Sequence, residues 1–80
     1  MNKVFVISDS REGVIRAATT MDKAITNAIQ RIALMEAFCT EFDYDSSITT
    51  ISYRLPQRFG TTVIEDEEVI TITAVTVSDI

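Results

Sequence analysis

The chain has 80 residues, 46% hydrophobic and 24% charged, with only two Gly and one Pro, which fits one ordinary globular domain and excludes a disordered chain. A domain this short buries a small share of its surface, so self-association is expected. Its formal charge of −5 is uneven: residues 1–40 hold five basic against four acidic groups (+1), and residues 41–80 hold eight acidic against two basic (−6). That acidity repels phosphate backbones, making direct nucleic-acid binding unfavourable, and suits a basic protein partner.

Residues 3–8 are a continuous β-branched and aromatic run, the pattern of an interior strand covered on both faces or nearly so. The apolar run Met1-Asn2-Lys3-Val4-Phe5-Val6-Ile7 is too short for a signal peptide, and no segment approaches the ~18 apolar residues of a bilayer span. A soluble, intracellular, cytoplasmic protein is expected. Asp9-Ser10-Arg11-Glu12-Gly13 has turn chemistry, with Gly13 able to take a positive φ, and residues 14–19 read as the returning strand of a hairpin.

Residues 19–40 read as one amphipathic helix. Met21, Ile25, Ala28, Ile32, Met35 and Cys39 recur at spacings of four and three, and Ala24 and Ile29 widen that stripe. Thr19 or Thr20 is the expected N-cap, and Asp22 follows Thr19 at capping-box spacing. Lys23, Thr26, Asn27, Gln30 and Arg31 lie opposite the stripe. Two residues break the pattern: Glu36 falls within the apolar stripe and Leu34 on the polar side. Either the last turn frays, or Leu34 and Phe38, one turn apart, form a second apolar patch for a partner or a twin subunit. Cys39, the single cysteine, reads as a buried inert thiol on the apolar face.

Glu41-Phe42-Asp43-Tyr44-Asp45-Ser46-Ser47 reads as a polar loop, and residues 48–55 as a half-buried strand with Ile51, Tyr53 and Leu55 on one side. Pro56 should end that strand, leaving Pro56-Gln57-Arg58-Phe59-Gly60 as a connection before a strand over 61–64. Glu65-Asp66-Glu67-Glu68 reads as an exposed turn, because four adjacent carboxylates cannot be packed inside. Residues 69–77 are nearly all strand formers, apolar on both faces towards the end. The expected fold is α+β: one helix on a mainly antiparallel sheet of four to five strands, in the order β-β-α-β-β-β.

The chemistry available is narrow. Val6-Ile7-Ser8-Asp9-Ser10 resembles the first metal-binding motif of calcineurin-like metallophosphoesterases, but Arg11 stands at the second-ligand position and the chain has no His, so Asp9 reads as a turn residue. Asp43, Asp45 and Ser47 match positions one, three and five of an EF-hand loop. Ile48 replaces the required Gly and Arg54 the required bidentate Glu, which rejects that motif. Without His, a second Cys or a Gly-rich loop, no nucleophilic, zinc or phosphate-binding set can be assembled. No catalytic residue, cofactor or metal is assigned.

What remains is surface. Arg54, Gln57, Arg58 and Phe59 combine arginine and aromatic side chains of the hot-spot type, with Phe59 alternatively tucked into the core. Glu65, Asp66, Glu67 and Glu68 form a second surface of opposite sign, and Leu34 with Phe38 a third. Arg16 and Arg54 are the basic residues available to an open sheet face, too few for a sheet-based RNA binder, and −5 is modest for a nucleic-acid mimic. The expected function is non-catalytic binding of another protein. In size and character the chain resembles small phage or mobile-element proteins that inhibit a host enzyme or defence complex; a homodimeric accessory subunit is the alternative.

Overall fold

In a computed structural model, which describes residues 2–77, the elements follow the order β1 (Asn2–Asp9), β2 (Gly13–Ala18), α1 (Met21–Leu34), β3 (Phe38–Asp43), β4 (Ile48–Phe59) and β5 (Thr62–Val77). Met1, first residue of the N-terminal run, lies outside the described residues. The five strands form one antiparallel sheet ordered β2-β1-β5-β4-β3, with α1 packed on one face. The α+β expectation and its element order hold, although three elements lie where the sequence suggested other structure.

The helix is built as its N-terminus promised. Thr20 is the N-cap, extended at φ −135°, and its hydroxyl accepts from the Lys23 N–H. Met21, Ala24, Ala28 and Ile32 are buried, and the two alanines let the helix axis approach the sheet closely. Ile29, expected to widen the stripe, is instead half exposed. Beneath the helix lie Ile7 of β1, Ala18 of β2, Ile51 and Tyr53 of β4, and Ile70 and Ile72 of β5. These alternate along their strands with residues on the open face, as a one-sided sheet requires.

The helix stops at Leu34, one turn and more before the apolar period does. Met35 is the C-cap, and Glu36 takes the left-handed conformation at φ 55°. The Glu36 N–H donates to the Ala33 carbonyl and the Ala37 N–H to the Ile32 carbonyl, the paired bonds of a Schellman cap. Glu36 thus falls in the apolar stripe only if the helix is drawn too long. Phe38 to Asp43 is then a fully exposed edge strand. Cys39 accordingly sits exposed on β3 instead of buried on a helix.

Strands β4 and β5 both run longer than the sequence suggests. Pro56 does not end β4, which continues to Phe59. Beyond Arg54 the strand has lost β3 as a neighbour, and an edge position tolerates a residue without an N–H. Nor is 65–68 a turn: the carboxylates belong to β5 and alternate across its two faces. The actual turn is Gly60-Thr61, where Gly60 supplies the positive φ (62°) that a two-residue hairpin needs at its first position.

Glu36 pays a left-handed penalty of ~1 kcal/mol that glycine escapes. Glu36→Gly is therefore expected to raise unfolding free energy by about 0.5–1 kcal/mol, and Glu36→Val to lower it by a similar amount. Urea denaturation of both variants checks this; an unchanged midpoint in both removes Glu36 as the strained cap.

Candidate protein-binding surfaces

The most concentrated polar chemistry in the molecule surrounds Asp9. Its side chain is fully buried at the end of β1. The Tyr53 hydroxyl lies 2.8 and 3.0 Å from its two oxygens and donates to the carboxylate. The Arg11 backbone N–H donates at 3.1 Å and the Arg31 Nε at 3.3 Å. Arg31 also donates to Glu12 at 2.5 Å, which closes the cluster over the β1–β2 turn. Asp9 does shape that turn, as expected, but its burial was not legible from turn chemistry. Every oxygen has a donor, and the cluster joins β1, β4 and α1, with Arg31 also bordering the groove between α1 and β2.

Asp43, Asp45 and Ser47 likewise serve the backbone. The Asp45 carboxylate accepts from the Ser47 N–H at 2.8 Å and the Ile48 N–H at 3.4 Å, and these bonds hold its pKa below the usual carboxylate value. The Thr49 hydroxyl donates to the Asp45 carbonyl and closes the β3–β4 loop. Among the described residues, no group of three or more metal-ligating side chains is placed to hold an ion.

Most of the residues expected to meet a partner come together on one projection. β3 leaves β4 at Arg54 and β1 leaves β5 at Ile70, so β4 and β5 run on as a two-stranded arm closed by Gly60-Thr61. The arm makes the molecule long, 56 Å against 21 and 16 Å. At its base Arg54 pairs with Glu67 at 2.9 Å and Glu65 at 3.3 Å, on the face away from the helix. On the other face Gln57 donates to Asp66 at 2.8 Å, and Glu68 accepts from the Ser10 hydroxyl. The four carboxylates are thus each tied to a neighbour, and among the described residues Arg58 makes no ion pair. At the far end Phe59 is 61% exposed, with half-exposed Ile64 on its own face of the ribbon and half-exposed Val63 on the opposite face. Phe59 does not enter the core. Val63 and Ile64 read only as strand in the sequence; the hairpin register Arg58↔Val63 and Gln57↔Ile64 brings them to the same end as Phe59, Ile64 on its face and Val63 on that of Arg58.

Leu34 and Phe38 do not form the expected joint patch. Leu34, 86% exposed, borders a groove of about 280 Å³ between α1 and β2, floored by Ile7, Ile15 and Ala28. Phe38 is abreast of Arg54, hence on the opposite side of the sheet from buried Tyr53 and the helix. Arg16, expected on the open face, instead faces the helix and donates to the Asn27 side chain at 3.1 Å.

No family model, no curated protein and no solved structure matches this chain. Among the described residues, no helix is long and apolar enough to cross a membrane.

The Asp9 cluster makes a pH-dependent prediction. Burial first, and then the adjacent Asp9 carboxylate, push the Tyr53 phenol up to about 12. The folded state therefore holds this proton more tightly than the unfolded chain does. The resulting stabilisation is fully present below the unfolded value of ~10 and is lost as pH rises through about 12. Tyr53→Phe is expected to cost about 2 kcal/mol at neutral pH, because it removes a donor from a buried carboxylate. It should also flatten the loss of stability between pH ~10 and ~12. Denaturant titrations at neutral and alkaline pH read both effects; parallel curves for the two proteins would refute the coupling.

Proposed function

We propose that this domain acts without catalysis, binding another protein through the β4–β5 arm. The observation that carries the reading is an apolar arm tip, Phe59, Val63 and Ile64, that lies outside the core and is about half exposed or more. A two-stranded ribbon alone is marginal in water, and Phe59, Val63 and Ile64 gain nothing there by exposure. A protein cleft that receives both faces of the tip would desolvate all three, with Arg58 opposite Val63 as a polar contact of the type enriched at hot spots.

The side-chain ties along the arm support the same reading. Arg54 bridges Glu65 and Glu67 across the strands, and Gln57 reaches Asp66. These contacts restrict the ribbon before it meets a partner, which lowers the ordering cost of binding. They also engage each carboxylate of the acidic run within the fold, so the contact we infer is apolar and aromatic at the tip, with the carboxylates bracing the stem. Insertion of such a ribbon suits an inhibitor or modulator of a larger host or cognate protein. Nucleic acid is a poorer fit: on the open face Arg54 is already committed to two glutamates.

The test is affinity capture from the natural host, followed by titration of whichever protein is retained. Arg58→Glu combined with Phe59→Ala should weaken binding by at least tenfold, since loss of a central aromatic anchor costs ~2 kcal/mol or more. The variant's unfolding midpoint should stay close to wild type, because the tip supports no core residue. Retention of the same partner at undiminished affinity, or capture of no protein at all, would refute the arm as the binding element.

A further inference from the structure

We propose that the uncovered face of the sheet is closed by the same face of a second copy, giving a helix–sheet–sheet–helix dimer. The inference is independent of what the arm binds. The sequence of β1 is apolar at consecutive positions from Val4 to Ile7, the pattern of a strand covered on both sides, yet α1 covers only one. On the open side Ala17, Val6, Thr73 and Ile48 lie abreast across β2, β1, β5 and β4, with Thr71 and Val75 flanking Thr73 along β5. These six side chains are apolar or hydroxyl-bearing, and none is charged.

The occupant follows from charge and area. A copy bearing −5 repels another copy wherever carboxylates meet, and this patch is free of them; Glu41 and Asp43 lie at the β3 edge and the Arg54 pairs at the base of the arm. A partner of opposite charge would find nothing here to steer towards, whereas rows of Val and Thr pack well on rows of the same kind. The four strands β2, β1, β5 and β4, spaced ~4.8 Å apart and each contributing roughly seven residues of ~3.3 Å, present a flat area of about 440 Å² per copy. Two copies give about 900 Å² of flat area, and the relief of the side chains carries the surface buried towards the ~1,200 Å² at which stable interfaces begin. Packing at ~10 Å separation would leave both helices outward and both arms free.

Sedimentation equilibrium of the full chain should give twice its mass of 8.9 kDa. Thr73→Lys places an unpaired charge at the centre of the patch and should return the mass to that of one chain with an unchanged circular dichroism spectrum. Val75→Glu, at a position already 41% exposed, should do the same and serves if the first variant misfolds. Phe59→Ala should remain a dimer, which separates this interface from the arm. A wild-type chain that stays monomeric at its highest soluble concentration overturns the proposal, as does a folded Thr73→Lys dimer.

Discussion

The Asp9 carboxylate is the constraint on which the fold turns. It is a fully buried anion, and such a group is tolerated only when donors reach it from several directions. Those donors come from β4, from the helix and from the turn after β1: Tyr53, Arg31 and the Arg11 N–H. Strands β1 and β4 are not neighbours; β5 runs between them, with Ile70 abreast of both Asp9 and Ile51. The cluster therefore reaches across a strand to fix β4 against β1, and Arg31 fixes the helix over both. A one-residue slip of β4 would turn Tyr53 to the open face and strand the charge. Register in this sheet is thus specified by a polar bond as well as by apolar alternation.

A second constraint is one of length. Fourteen helical residues span about 21 Å, while the sixteen of β5 reach about 53 Å. One helix can cover the middle of such a sheet on one side and no more. Everything left uncovered follows from that mismatch: the arm beyond Arg54 and Ile70, the bare β3 edge, and the face opposite the helix. Candidate binding surfaces lie there because the fold has no second layer to place over them.

The parts of this structure legible in the sequence were those whose local signal agreed with their long-range setting. The Thr20 cap and the Met21–Ile32 stripe are local features, and they fold as read. Misreadings arose where a local signal was overridden from a distance. Apolar spacing continued through Met35 to Cys39, but the helix ends on Glu36, a residue with no intrinsic preference for the left-handed region. Pro56 looks like a strand terminator until β3 is seen to stop before it, and Glu65 to Glu68 look like a turn until Arg54 and Gln57 are placed across from them. Phe38 to Asp43 shows no alternation because neither of its faces is buried. Arg54, Arg58 and Phe59 could be singled out by residue type alone, whereas their grouping with Val63 and Ile64 depends on a hairpin register set by Gly60.

The same pairings alter what the net charge means. Four consecutive carboxylates suggest an electrostatic surface, but here Arg54 offsets part of the charge on one face, and Gln57 and Ser10 hydrogen-bond to the carboxylates on the other. Exposed pairs of this kind contribute little to stability individually. Their effect is geometric, since each ties one strand of the ribbon, or its base, to a neighbour and narrows the conformations open to a hairpin lacking a third strand. Acidity along the stem also disfavours edge-to-edge pairing of two arms, which would set carboxylates side by side. A bare ribbon with an apolar end is an aggregation hazard, and a charged, cross-braced stem is a physical means of limiting it.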